Sequence, residues 1–267
     1  MKNNLIRLNA VIMIDEWTFF HPELLEKVFH LFDSVMKIKV LIVKKVPRKS
    51  NIRLNFLWYL VYISPFEMCK LLYRFVCAKL LLKRCDDCGH LRSVRSVASV
   101  ARKLQLECVI VNSAEEVEDF FNNLQSEEYD VLLSSNSLYI REKWLQNFRL
   151  GGVNRHSSLL PAYGGLWPIL HGLINHEWQY GVSVHKITSK IDKGEILAQV
   201  GFGRRREDTV FTLYQRAFNL SPEMIRLGLE NLENESKPVS TFTTASYFSK
   251  LTRADWLKLR KTGVRFI

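Results

Sequence analysis

Several things are missing from this chain of 267 residues, and each absence narrows what it can be. No repeat or low-complexity tract interrupts it, so a packed fold is expected rather than a solenoid or a disordered linker. The amino-terminal MKNNLIRLNAVIMID lacks the apolar core and small-residue cleavage site of a secretory signal. The five cysteines, Cys69, Cys77, Cys85, Cys88 and Cys108, are odd in number and scattered. That pattern speaks against a disulfide framework and predicts a reducing, cytoplasmic setting. Cys85 and Cys88 with nearby His90 lack a second Cys/His pair at ligand spacing, so no metal is expected. The apolar run LNFLWYLVYISPF (54–66) is too short to span a bilayer, and Pro65, Glu67 and Lys70 interrupt its continuation. What remains is 47% apolar and 24% charged with only 12 glycines, enough to bury a substantial core as one large domain or a domain with an appendage.

Acidic residues are scarce in one place only. Between Lys44 and Lys103 there are 14 Lys/Arg against three acids, while the rest of the chain carries 24 of each sign, so the whole net charge of +11 sits in that segment. Within it Lys70, Arg74, Lys79, Lys83 and Arg84 recur at near-helical spacing, after a cluster of Phe56, Trp58, Tyr59, Tyr62 and Phe66. The pattern predicts a peripheral insertion over 45–92, mainly helical from about Leu54 to Lys83. Three readings stay open: a helical insertion whose apolar face is ordinary core or dimer contact, a basic amphipathic helix lying against an anionic membrane, and a patch for a polyanion.

Outside that segment strands and helices alternate. Apolar runs at 9–14, 37–44, 107–112 and 130–135 read as strands, and 22–32, 93–105, 114–125 and 141–148 have helical spacing, with Pro22 in a first turn and Ser113 as an N-cap. Further on, 167–177 reads as helix, 180–187 and 195–202 as strands, and 208–234 as helical material before a tail anchored by Phe242, Tyr247, Phe248 and Trp256. Such alternation predicts an α/β fold with a doubly wound, mostly parallel sheet, whose ligands bind beyond the carboxyl ends of strands. The expected organisation is a domain over 1–205 and a helical extension over 206–267.

Asn154 and His156 fall at the end of one such strand, before a bend at Leu160-Pro161. Residues i and i+2 of a strand share a side, so the pair presents an amide and an imidazole together. By themselves they read equally as a satisfied turn or core pair. Asp192 precedes Lys193-Gly194 in the loop between the strands at 180–187 and 195–202, a loop that can fold back and bring its carboxylate toward His156. Taken in order, Asn154-x-His156-x-Ser158-Leu159-Leu160-Pro161, Tyr163-x-Gly165, Pro168, Gly181-Val182-Ser183-Val184-His185 and Ile191-Asp192-x-Gly194-x-Ile196-Leu197-x-Gln199 resemble the formyltransferases that use 10-formyltetrahydrofolate. The resemblance covers about 93–220 and is most specific across 150–200.

The resemblance implies a Rossmann-like formyltransferase fold and a catalytic set of Asn154, His156 and Asp192. In formyl transfer to an amine, the Asn154 amide and a protonated His156 would donate to the oxygen that becomes negative, or His156 would take or relay the proton of the attacking amine; both roles stay open, and a carboxylate beside His156 would move its pKa upward. Asp192 would orient His156 directly or through a water. The resemblance also places the pterin of 10-formyltetrahydrofolate between Leu138, Tyr139 and Ile140 and the backbone of Thr188, Ser189, Lys190 and Ile191, with plain core packing the competing reading for Leu138 and Ile140. Ser183 and His185 would support the Asp192 loop.

Two departures bear on the acceptor. Gly164 stands where members commonly carry Arg or Lys, and DEWTFFHP (15–22) replaces a glycine-rich turn, so a phosphate cradled by the first loop is not expected. Only 75 residues follow Asp192, without a clear run of strands for the barrel domain of enzymes that formylate methionyl-tRNA. The expected acceptor is therefore a small primary amine, foremost a nucleotide-linked amino sugar, with no obligatory nucleic acid; a homodimer stays open. The alternatives are a formyltetrahydrofolate hydrolase, a methionyl-tRNA formyltransferase-like enzyme, and a formyltransferase-like scaffold that binds nucleic acid or an anionic surface.

Overall fold

Along Ala10–Asp15 (β1, AVIMID) every residue from Ala10 to Ile14 is buried, and the side chains alternate between two cores. Ala10, Ile12 and Ile14 join one apolar cluster, Val11 and Met13 the other. A strand covered on both faces reads as a continuous apolar run, which is why its sequence shows no polar alternation. A computed structural model describes residues 6–16, 19–44, 66–67, 69–70, 73, 96–125, 128–239 and 244–267 of the protein.

From β1 the chain steps outward through β2 (Ile38–Val43) to β3 (Glu107–Val111), then crosses back to β4 (Val131–Ser135) and β5 (Gly152–His156), all five parallel. After the two-residue strand β6 (Gly164–Gly165), β7 (Gln179–Lys186) and β8 (Ile196–Gly203) add an antiparallel hairpin, giving the order β3-β2-β1-β4-β5-β7-β8. Strand order therefore reverses between β1 and β4. The carboxyl ends of β1, β4 and β5 flank that switch point, where a doubly wound sheet opens a crevice.

Helices cover both faces. Against the first core lie α1 (His21–Phe29) and α2 (Val97–Lys103); against the second lie α3 (Ala114–Asn122) and α4 (Glu142–Leu145). Ser113 caps α3 as its sequence predicts, its hydroxyl accepting from the Glu116 amide at 3.2 Å. The first core continues through α5 (Pro168–Ile174), α6 (Val210–Glu233) and α7 (Arg253–Lys261). The α6 helix, which the sequence reading assigns to an extension after residue 205, buries Leu213, Ala217, Ile225 and Leu229 in the same cluster as Val153, Val182 and Val184 of the sheet. Each such aliphatic side chain contributes about 2 kcal/mol by burial. Trp256 and Leu259 of α7 join that cluster as well. Last in order, β9 (Tyr247–Phe248) pairs in parallel with β6.

The insertion expected over 45–92 and its helix over 54–83 lie outside the described residues except at Phe66, Glu67, Cys69, Lys70 and Tyr73, as do Cys85, Cys88 and His90. At one of these positions the Glu67 carboxylate accepts from the Phe266 amide at 2.7 Å. Among the described residues no helix is long and apolar enough to cross a membrane, and no group of three His, Cys, Asp or Glu could hold a metal ion.

Candidate active site

Register, more than chain position, builds this site. Ser134 of β4 lies beside Asn154 of β5, and Asn154 beside His185 of β7, so three polar side chains stand in one row across three strands. They project on the face opposite Val153 and Val184, where the second core gives way to the crevice. The Ser134 hydroxyl donates to Asn154 Oδ1 at 2.9 Å, which fixes the amide so that its Nδ2 faces His185 Nε2 at 3.3 Å. Asn136 closes the turn after β4: its Nδ2 donates to Ser134 Oγ at 3.2 Å and its Oδ1 accepts from the Leu138 amide at 2.6 Å.

His156 lies two residues beyond Asn154 on the same side, opposite Ser183. Its Nε2 donates to the carbonyl of Tyr163 at 2.9 Å, because a carbonyl can only accept. In the neutral ring Nδ1 is then the lone-pair nitrogen, 3.7 Å from Asp192 Oδ2. The expected upward shift is not what this geometry produces. Burial of the imidazole lowers the His156 pKa, and the opposing pull of Asp192 and the Tyr163 carbonyl does not overcome it. Desolvation wins because the ring is 8% exposed and the carboxylate is beyond hydrogen-bond reach. Of the two roles kept open for His156, the lowered pKa favours the base, a neutral ring whose Nδ1 can accept a proton.

Asp192 does reach the centre, held by partners other than His156. It adopts the left-handed backbone conformation, φ 52°, and its Oδ2 accepts from the Gly165 amide at 2.7 Å. Its Oδ1 is 3.4 Å from His185 Nε2. Burial pushes its pKa up, but the contact with His185, the charge of His156 and the Gly165 N–H together hold it down to about 2. The sequence reading gives His185 only a supporting part; here it touches Asn154 and Asp192 both. Its Nδ1 donates to the Lys186 carbonyl at 2.9 Å, which leaves Nε2 to face Asn154 and Asp192.

The backbone around these groups is pinned by residues of the same motifs. Ser183 Oγ donates to the Ser158 carbonyl at 2.6 Å and accepts from the Leu160 amide at 3.0 Å and from Gln199 Nε2 at 2.8 Å, which locks the bend containing the cis Leu160-Pro161 bond. Gly194 lets the Asp192 loop close: a Cβ there would lie 1.7 Å from the Lys186 carbonyl oxygen.

A cavity of about 270 Å³ opens above Asn154, His156, His185 and Asp192. Leu138, Tyr139 and Ile140 line one side, Ile187, Thr188, Lys190, Ile191 and Asp192 another. Ser189, expected among its lining, instead accepts at its carbonyl from the Tyr139 hydroxyl at 3.1 Å, joining the two walls. Ile140 is 6% exposed in the second core and also meets the cavity. At the end of β1, where the segment that replaces a glycine-rich turn begins, the Asp15 carboxylate accepts from the Ser137 amide at 3.1 Å.

Against known proteins, residues 82–229 match the family model described as formyl transferase, more than half of the chain. A methionyl-tRNA formyltransferase of Buchnera aphidicola subsp. Baizongia pistaciae (strain Bp) is 29% identical over 164 residues, 60% of this chain and 50% of that protein. The chain thus spans about half the length of this curated relative. Phosphoribosylglycinamide formyltransferase from Anaplasma phagocytophilum superposes with a TM-score of 0.58 at 15% identity, covering 92% of this chain and 100% of that one. WlaRD, a sugar 3N-formyl transferase solved in the presence of dTDP and 5-N-formyl-THF, gives 0.57 at 19% identity over 94% of this chain and 71% of that one. The N-formyltransferase from Helicobacter canadensis, in complex with folinic acid and dTDP-3-aminofucose, gives 0.53 at 17% identity over 93% and 72%. At such identities the superpositions speak for the fold alone, the same switch-point sheet. With more than half of its length, its strand-end Asn-x-His and its Asp192 loop inside the matching model, this chain belongs to the formyl transferase family.

Proposed function

We propose that this protein transfers the formyl group of 10-formyltetrahydrofolate to a primary amine, and that the amine belongs to a nucleotide-linked amino sugar or a comparable small molecule. The observation that carries the reading is the convergence of Asn154, His156, His185 and Asp192 on one cavity walled by 138–140 and 187–191. That slot, apolar at Leu138, Ile140 and Ile187 and polar at Thr188 and Lys190, suits a flat heterocycle with hydrogen-bonding edges. The sugar acceptor draws support from WlaRD, solved with dTDP, and from the Helicobacter canadensis enzyme, solved with dTDP-3-aminofucose.

The bound donor supplies a formyl carbon open to attack by an amine. The part of this chain is to handle charge and protons around it. Asn154, oriented by Ser134, directs an N–H toward the oxygen that gains negative charge; a preorganised donor of this kind lowers the barrier by about 3 kcal/mol. His156, neutral because it is buried, takes the proton of the attacking amine at Nδ1 and returns it to the departing nitrogen. Asp192, ionised, stabilises the imidazolium that exists between those two transfers. Proximity lets a bound amine outrun water, since alignment is worth about 7 kcal/mol or more over a bulk nucleophile.

The test is incubation with 10-formyltetrahydrofolate and a panel of nucleotide-linked amino sugars, with methionyl-tRNA alongside, following release of tetrahydrofolate and the mass of each acceptor. Gain of one CO by a sugar nucleotide is the expected result. Gain on methionyl-tRNA alone would reassign the acceptor, and formate release indifferent to every amine would mark a hydrolase.

A further inference from the structure

The carboxy-terminal strand β9 lies against the catalytic loop, and none of its residues figures in the chemistry described so far. The Tyr163 amide donates to Ser246 Oγ at 2.9 Å, the Gly164 amide to the Ser246 carbonyl at 3.0 Å and the Leu166 amide to the Phe248 carbonyl at 2.9 Å. Ser246 N–H returns a bond to the Pro161 carbonyl at 3.1 Å, and the Phe248 ring stacks on Tyr163 and His171. The approach is close enough that a Cβ on Gly165, whose φ is 94°, would fall 2.0 Å from the Phe248 oxygen. This same loop supplies the Tyr163 carbonyl that holds His156 and the Gly165 amide that holds Asp192. A strand so placed brings its own side chains to the reacting centre.

Of those side chains, Tyr247 lines the cavity together with Gly165, Leu166 and Asp192. It is 51% exposed, an unusual fraction for a large ring fixed between two anchored neighbours. Gly164 links it to the chemistry: a Cβ at 164 would stand 3.4 Å from Asp192 Cβ and 3.6 Å from Tyr247 Cδ2, so both side chains border position 164. Position 164 carries no side chain to cover the half-exposed Tyr247 ring. An open aromatic face next to a proton-transfer centre suits an uncharged ring whose C–H groups pack on it, as the apolar face of a hexose does.

From this we infer that Tyr247 is an acceptor-binding residue: its ring packs against the sugar ring that carries the amine and holds that amine over His156 Nδ1. The inference rests on the acceptor class proposed above and adds the residue that selects it. Its signature is a split between substrates, since a contact on the acceptor side leaves the donor side untouched.

Steady-state kinetics of the full chain with 10-formyltetrahydrofolate and dTDP-3-aminofucose as the probe acceptor, on Tyr247→Ala and Tyr247→Phe, test it. Tyr247→Ala should raise the acceptor KM at least tenfold and leave the donor KM within twofold, and Tyr247→Phe should behave as the parent. An unchanged acceptor KM in Tyr247→Ala, or a shift in the donor KM instead, overturns the assignment. The parent protein separates this from the broader reading: if it forms no formylated sugar at all, the acceptor class fails first and takes the inference with it. A thermal melt of both variants shows whether β9 stays docked, and Tyr247→Leu, which keeps bulk at the position and loses the aromatic face, gives the same reading should Tyr247→Ala unfold.

Discussion

At the scale of single residues, the site turns on which nitrogen of His156 is committed. With Nε2 given to the Tyr163 carbonyl, the base is Nδ1, and removing it by His156→Ala should cost at least about 100-fold in turnover while the fold survives. Asn154→Ala, which deletes the oxyanion donor, should cost on the order of 100-fold or more in kcat. Near-parental rates in either variant would show that the chemistry lies elsewhere. The lowered pKa of His156 has a sign that rate profiles can read. A base must be unprotonated, so kcat/KM should fall only as pH drops below the ordinary histidine value, leaving a plateau through neutral pH. Because Asp192 pulls that pKa upward, Asp192→Asn should move the acid limb to still lower pH while slowing the reaction. An acid limb moving upward would contradict the electrostatics.

Elements explain what the sequence could and could not reveal. Strand alternation puts Asn154 and His156 on one side and a short loop between two readable strands carries Asp192, but that the three form one catalytic set came from the resemblance and not from these local signals. Ser134 and His185 belong to the same row but sit 20 and 31 residues from Asn154, and nothing local encodes that β4, β5 and β7 are neighbours. The apolar spacing of Val182 and Val184 marks His185 as facing the other way, a signal that becomes useful only once β5 is known to lie alongside. The long helix over 208–234 was also readable, although Pro222 lies inside it and its place on the sheet was not. Anchoring of the catalytic loop by β9 belongs to this scale too. Ser246→Ala removes the acceptor for the Tyr163 amide and should cost about 1 kcal/mol in stability, read from denaturant midpoints, together with a fall in kcat. Unaltered kcat with lowered stability would confine Ser246 to a structural part.

For the whole molecule, pH stability should be governed by a group outside the reacting set. His21 is 4% exposed, bonded to the Asp15 carbonyl and Ser135, and burial together with the nearby charge of Arg155 lowers its pKa to about 3. Between the ordinary histidine value and that figure the unfolded chain binds a proton that the folded chain does not, so stability falls as pH is lowered through this window. Asp192 adds to the loss below the ordinary aspartate value, down to about 2. Urea midpoints should therefore decline from about pH 6 downward, and His21→Gln should flatten the upper part of that decline. The basic segment between Lys44 and Lys103 predicts a different dependence. Retention on an immobilised polyanion should weaken steeply from low to moderate salt, whereas formylation of a small acceptor should change little.

Arg155 stands between Asn154 and His156 and points the other way, its Nε 2.8 Å from Ser221 Oγ and its guanidinium 3.9 Å over the Phe218 ring, in the core beneath α6. One short strand thus carries a reaction centre on one side and a buried cation on the other. Strand side chains repeat every two residues, so a shift of β5 by a single position would carry the cation into the crevice and drive the amide and imidazole into hydrocarbon. A one-residue insertion or deletion along 148–152 exchanges the two sides at once. In a library of such length variants, active clones should be confined to changes that leave the parity of β5 intact.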